Sequence, residues 1–348
     1  MSYFRDNIDA MRPYVPGAQP PAGQKVIKLN TNENPYPPAP GAIEALRACD
    51  PDSLRRYPDP MAREFCGAVA GALDVPADHV IPGNGSDDIL VMISRACLQP
   101  GRKVVFTVPT FEFYNVQAEI ENATRVPLAC DPAESIDLIA TENADVTFIA
   151  SPNSPTGTLT PTGALDDLAG RLDGLLVIDE AYADFASENA LSLAARHDNV
   201  VILRTLSKGY SLAGLRMGFA IAAPEILDGL MKTKAIYNID AAACAVGAAA
   251  IADQDHKNAN ARKIIASRQA LGDQLGELGF TFPPSQANFL LVRPPEGNAA
   301  DIHEALKARG ILVRYFQYQA ILADKLRITV GTDEQNNALI AALKEIMA

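Results

Sequence analysis

The sequence predicts an α/β protein in which a mainly parallel central sheet, flanked by helices, is joined to a smaller α+β domain. Three observations predict it. Short β-branched apolar runs alternate with helical stretches from His79 onward; most of these runs stop abruptly at polar residues; and after Ala241 a long helical stretch gives way to alternating strands. A chain of 348 residues has room for about two domains and for a core that needs no disulfide staples.

The strands expected in the large sheet are 104–108 (VVFTV), 146–150 (VTFIA), 175–178 (LLVI), 200–203 (VVIL) and 217–222 (MGFAIA). Ligands of an open α/β sheet bind outside the carboxyl ends of its strands. Pro109-Thr110-Phe111, Ser151-Pro152-Asn153, Asp179-Glu180 and the stretch from Arg204 to Lys208 are therefore expected to converge. The segment up to about Pro60 is rich in Pro and Asn, which forbids long helices and central strands and predicts an extended arm packed on the smaller domain. Beyond Ala241 one long helix is expected to run through ADQDHKNANARK, followed by a helix at 301–309 and strands at 289–292 and 326–330. This reading assigns residues 30–245 to the large domain, and residues 1–29 with 246–348 to the small one.

Composition excludes several classes. The apolar stretches break well before the roughly 20 residues of a membrane span, and MSYFRDNIDAMRPY lacks the apolar run of a signal peptide, so a cytoplasmic location is expected. A net charge of −12 speaks against a nucleic-acid or anionic-membrane surface. Five cysteines, odd in number and never in a CxxC pair, read as reduced thiols. His79, His197, His256 and His303 are scattered with no HExxH spacing, so no metal site is expected.

Gly83-Asn84-Gly85-Ser86-Asp87-Asp88 precedes an apolar helix, and glycines there let backbone N–H groups close around an anion at the positive end of the helix dipole. Taken alone, the stretch reads more readily as a plain helix start, capped by Ser86 with two acidic residues in its first turn. In VILRTLSKGYSLAGLR, Lys208 follows a strand together with the hydroxyls of Thr205 and Ser207, and Arg216 lies beyond. Such a lysine bonds a carbonyl as a Schiff base while the hydroxyls and the arginine hold a phosphate. Asp179, at another strand end, would keep a pyridine nitrogen protonated, as the electron sink of pyridoxal phosphate requires; alone it reads equally as a helix cap or a magnesium ligand. Asn153 and Tyr182 have the donors for the phenolate oxygen of such a ring, and Phe111 the face to stack on it.

Taken together, SPNSPTG, DEAY, RTLSKGYSLAGLR and LRITVG resemble the fold-type I aminotransferases that use pyridoxal phosphate. With NENPYP, RYPD, GNGSDD, PTFEFY and GILVRYF, the chain is most similar to the histidinol-phosphate aminotransferase family, from about residue 14 to 332. The resemblance implies Lys208 as the aldimine lysine and proton-transfer base, with Asp179 at the pyridine nitrogen and Tyr182 and Asn153 at the ring hydroxyl. It implies a phosphate cup of Gly85, Ser86, Asp87, Thr205, Ser207 and Arg216, with Phe111 stacked on the ring. Tyr57 of RYPD matches a residue that reaches the cofactor phosphate of the neighbouring subunit, which implies a homodimer with shared sites. Arg327 matches the arginine for the substrate's anionic group, and Arg314 and Tyr14 match its helpers.

The implied reaction is amino transfer from histidinol phosphate to 2-oxoglutarate by a ping-pong cycle, a step of histidine biosynthesis. An aromatic amino-acid aminotransferase and a phosphothreonine decarboxylase-like enzyme share the scaffold. A non-enzymatic regulatory module is disfavoured, because no basic helix-turn-helix is appended and Lys208, Asp179, Asn153 and Arg216 are all present. The chain departs from the family pattern in three places: SKGYSLAGLR replaces SKAYGLAGLR, so that Gly209 and Ser211 stand where Ala and Gly usually flank Tyr210, and Ile236 replaces the proline that usually precedes Tyr237.

Overall fold

A computed structural model describes residues 2–12, 15–20, 23 and 25–348. The strands are β1 (Ile27–Leu29), β2 (Val80–Gly83), β3 (Lys103–Thr107), β4 (Thr124–Leu128), β5 (Val146–Ala150), β6 (Leu175–Asp179), β7 (Val200–Thr205), β8 (Gly218–Ala222), β9 (Phe289–Val292), β10 (Ile311–Tyr315) and β11 (Leu326–Thr329). Seven form one sheet in the order β2-β8-β7-β6-β5-β3-β4, and four form a second in the order β1-β10-β11-β9.

Both faces of the large sheet are covered, which explains why its central strands are apolar without alternation. Val105, Ile149, Leu176, Ile178 and Ile202 enter one core cluster, and their sequence neighbours Val104, Phe148, Val177 and Leu203 enter another on the opposite face. The two edge strands escape a reading by apolar runs because each carries a proline, Pro82 in β2 and Pro127 in β4, and a sheet tolerates proline at its edges.

β3 to β7 run parallel to one another, so Ala150, Asp179 and Thr205 end on the same side. β8 runs the other way: Gly218, its first residue, pairs with Thr205 of β7 and with Gly83 of β2. This reversal delivers Arg216, two residues before Gly218, to the edge where the parallel strands finish.

Two expectations need correction. The proline-rich amino-terminal part is not simply an extended arm, because Pro40 and Pro51 open the helices Pro40–Arg47 and Pro51–Leu54, where a missing N–H costs nothing. Its first helix, Asp6–Ala10, docks through Asn7 on the backbone of helix Phe113–Ile120, while β1 joins the small sheet beside β10. The long helix after Ala241 is two, Ala241–Ala252 and Gln254–Glu277. Asp253 separates them and caps the second by accepting the His256 N–H at 3.0 Å.

Helix Ala241–Ala252 packs against helices Arg63–Leu73 and Pro40–Arg47, and it spans the 245/246 boundary. Among the described residues, no helix is long and apolar enough to cross a membrane. The cysteines are unpaired, and burial pushes the Cys66 thiol up to about 12, so it is inert.

Candidate active site

β2 delivers the chain to a tight turn before helix Ser86–Cys97. Gly85, not Ser86, occupies the N-cap position with φ +78°, and among the described residues no side-chain cap bond closes this helix start. A Cβ at Gly85 would collide with the Arg216 guanidinium, and one at Gly218 would lie 2.7 Å from the Ser86 nitrogen. Both glycines therefore keep a cradle open. Around it, the Thr205 hydroxyl donates to Ser207 Oγ at 2.9 Å, and Arg216 donates to Ser207 Oγ and to Asp87 Oδ2, each at 3.3 Å. Uncapped backbone donors, two hydroxyls and one guanidinium suit a phosphate group.

Asp179 closes β6 and is 5% exposed. Its Oδ1 accepts the Ala181 N–H at 3.0 Å and its Oδ2 accepts the Tyr114 hydroxyl at 2.7 Å. Burial pushes the carboxyl up to about 6, against the pull of these two bonds. Tyr114 is itself locked, stacked on Phe148 with centroids 4.9 Å apart and edge-on to Phe111 at 5.7 Å. Lys208 Nζ donates to the Thr31 carbonyl at 3.1 Å and lies 5.9 Å from the centre of the Tyr182 ring. The Tyr182 hydroxyl accepts from Asn32 Nδ2 at 2.8 Å, which leaves its own hydrogen for a further acceptor.

Asn153 is buried and knits two strand-end loops together: Oδ1 accepts the Thr110 hydroxyl at 2.7 Å, while Nδ2 donates to Pro109 O and Thr156 Oγ1, both at 2.9 Å. With both amide hydrogens engaged, a ligand oxygen at Asn153 must replace one of these acceptors. Glu180 and Arg204 leave the cluster. They pair with each other at 2.7 Å, and Glu180 also accepts the Ala190 N–H, so each serves the scaffold.

Arg314 of β10 and Arg327 of β11 are direct cross-strand partners. Like charges in such register repel unless an anion or an aromatic face intervenes. The Phe316 ring lies 5.2 Å from the Arg314 guanidinium and 5.5 Å from that of Arg327. Arg327 also donates to Ser154 Oγ at 3.0 Å and to the Asn30 carbonyl at 3.2 Å, and Arg314 donates to the Val15 carbonyl at 2.7 Å. Tyr57 stands apart from this cluster, 81% exposed and stacked on Tyr237 at 4.4 Å. Tyr14 lies outside the described residues.

Sequence reasoning missed Tyr114 and the alternating asparagines Asn30, Asn32 and Asn34. Asn34 holds the carbonyls of Lys208 and Gly209 at 3.0 and 3.2 Å, and Asn32 is anchored to Thr329 and Asn288 beside the small sheet. Their i, i+2, i+4 spacing was the available signal. Of the two residues that depart from the pattern around Tyr210, Gly209 acquires a reason and Ser211 does not. A Cβ at Gly209 would collide with the buried Asp184 carboxylate, which pairs with Lys257 at 3.0 Å. Ser211 takes φ +61°, and its hydroxyl is buried with no hydrogen-bond partner among the described residues. Ser211→Gly is therefore expected to raise stability by about 1 kcal/mol, read as a higher urea midpoint; an unchanged or lower midpoint would contradict the strain.

Residues 24–343 match the model of the family described as aminotransferase class I and II. The chain is 53% identical to histidinol-phosphate aminotransferase 1 of Trichormus variabilis over 99% of each sequence. The crystal structure of histidinol-phosphate aminotransferase from Sinorhizobium meliloti, in complex with pyridoxal-5'-phosphate, superposes with a TM-score of 0.90 at 29% identity, covering 100% of this chain and 98% of that one. L-threonine-O-3-phosphate decarboxylase from Porphyromonas gingivalis also superposes, at a TM-score of 0.83 over 92% of this chain and 99% of that one, but at 20% identity it shares the fold alone. A lysine, a buried aspartate and a cradle of hydrogen-bond donors at the carboxyl edge of a parallel sheet thus accompany a full-length match, and the chain belongs to the class I and II aminotransferase family.

Proposed function

We propose that this chain moves the amino group of histidinol phosphate to 2-oxoglutarate with bound pyridoxal phosphate, as a homodimer whose Tyr57 reaches the neighbouring site. The observation that carries the reading is the cross-strand arginine pair, Arg314 and Arg327, on the small sheet that also anchors Asn32 beside Tyr182 and Lys208. The names of the full-length relatives support the same substrate. The division into residues 30–245 and residues 1–29 with 246–348 belongs to this reading.

In this reading Gly85, Ser86, Asp87, Thr205, Ser207 and Arg216 hold the cofactor phosphate. Asp179 pairs with the ring nitrogen, Tyr182 and Asn153 meet the ring hydroxyl, and Phe111 covers one face. When bound, pyridoxal phosphate supplies an aldehyde that takes up the amino group and a ring that draws electrons away from the substrate Cα. Lys208 Nζ carries the proton released at that carbon and returns it at the product stage. The Thr31 carbonyl accepts one of its hydrogens and so orients the amine. Arg327 receives the phosphate of the donor and then a carboxylate of 2-oxoglutarate, two anions that the same planar guanidinium fits.

Holoenzyme mixed with histidinol phosphate alone is expected to lose the visible band of the lysine-bound cofactor and release one equivalent of imidazole acetol phosphate. Arg327→Ala is expected to raise KM roughly a hundredfold for this donor and for 2-oxoglutarate, with cofactor retained. A half-reaction with phenylalanine but not with histidinol phosphate would reassign the chain to aromatic amino acids, and carbon dioxide release from phosphothreonine would reassign it to decarboxylation. A fully active monomer would remove the role of Tyr57.

A further inference from the structure

Lys234 lies between helix Pro224–Met231 and helix Ala241–Ala252, and its ammonium faces four neutral oxygens. These are the carbonyls of Pro60 at 2.9 Å, Ala235 at 2.8 Å and Ile236 at 3.2 Å, and the side-chain oxygen of Asn238 at 3.0 Å. An ammonium has three hydrogens, so four oxygens at these distances form a coordination shell of the kind that surrounds a small monovalent cation. Burial draws the Lys234 pKa down, while Asp88 and Asp59 favour its charged form from a distance.

The oxygens belong to two features of the site. Pro60 ends the RYPDP turn that carries Tyr57, and Ala235 and Ile236 immediately precede Tyr237, the residue on which Tyr57 stacks with an interplanar angle of 15°. Asn238 faces the other way. With its oxygen committed to Lys234, its Nδ2 donates to Asp88 Oδ2 at 2.9 Å and to the Pro82 carbonyl at 3.1 Å, and Asp88 Oδ2 also accepts the Asn84 N–H at 3.0 Å. One ammonium thus braces the exposed tyrosine pair and the turn that presents Gly85, Ser86 and Asp87.

We propose that Lys234 is a positioning residue, a tethered monovalent cation that sets the geometry of the anion-binding turn and of the Tyr57–Tyr237 pair, and thereby the strength with which the chain holds its phosphate-bearing cofactor. This rests on the reading that the turn holds the cofactor phosphate. Lys234→Met keeps the apolar stem as far as Cε and removes the ammonium. Cofactor binding, followed by visible absorbance, is expected to weaken roughly tenfold. Ammonium chloride is expected to restore most of that loss by occupying the vacated oxygens, and choline chloride at equal ionic strength is not.

Asn238→Ala, which keeps the ammonium but removes one of its four oxygens and the links to Asp88 and Pro82, is expected to weaken cofactor binding without rescue by ammonium. Wild-type affinity in Lys234→Met, or a loss that ammonium does not restore, would overturn the proposal. If Lys234→Met does not fold, Asn238→Ala decides, and wild-type affinity there overturns it. Arg216→Ala separates the two levels: wild-type cofactor affinity in that variant overturns the phosphate reading itself, whereas weakened binding there beside wild-type binding in Lys234→Met overturns only the role of Lys234.

Discussion

Lys208→Ala is expected to lower turnover at least about ten-thousandfold while leaving the folded protein able to bind pyridoxal phosphate. The size of the effect follows from two functions on one atom, since Nζ is both the group that bonds the cofactor and the only amine placed to move the substrate proton in this reading. The structural cost is small. Lys208 is half-buried and, among the described residues, its ammonium makes a single hydrogen bond, to the Thr31 carbonyl, so the loss of stability should stay within about 1 kcal/mol. Cofactor binding should persist because the phosphate cradle and Asp179 are untouched. Mass spectrometry after borohydride treatment should find the cofactor fixed to residue 208 in the wild-type chain and no covalent adduct in the variant. A variant that retains a tenth of the turnover, or a wild-type chain modified at another lysine, would refute the assignment.

The strand ends that carry Lys208 and Asp179 were legible because local sequence determines both the strand and its stopping point. A buried parallel strand must be apolar, and the first polar residue after it must lie at the sheet edge. The small sheet was legible only in part. β9 is a continuous apolar run and β11 interrupts its apolar residues with Arg327, whereas β1 is three residues inside a proline-rich segment and is defined by its partner β10. Tyr114 shows the same limit on the side-chain scale. It lies in the first turn of helix Phe113–Ile120, but its meaning depends on Asp179, 65 residues later, arriving within 2.7 Å. Asn30, Asn32 and Asn34 are likewise local in sequence and long-range in function, reaching Arg327, Tyr182 and Lys208. The cross-strand pairing of Arg314 with Arg327 needed the register of two strands, which spacing alone does not supply.

Asp179→Asn is expected to change activity and stability in opposite directions. With cofactor bound, the rate should fall about a hundred- to a thousandfold, because the ring nitrogen loses the charge that keeps it protonated. Without cofactor, the same substitution should stabilise the protein at neutral pH. Burial raises the native carboxyl from its ordinary 3.8 to about 6, so the folded state binds this proton more tightly than the unfolded chain does. Stability associated with this group is therefore fully present below about pH 4 and is lost as the pH rises through about 6. An asparagine carries no such cost, and the gain of the variant should reach about 1–3 kcal/mol above pH 7 and vanish below pH 4. Tyr114→Phe should act on the same balance with the opposite sign. Removing the 2.7 Å bond raises the carboxyl further, so the acidic limb of the rate profile should move to higher pH while the aspartate remains in place. Urea denaturation of the cofactor-free variants between pH 4 and 8 reads the stability arm, and pH–rate profiles read the other. Equal stabilities of wild type and Asp179→Asn at pH 7.5, or a full rate in the asparagine variant, would show that this carboxylate is not held charged against burial for the sake of the ring nitrogen.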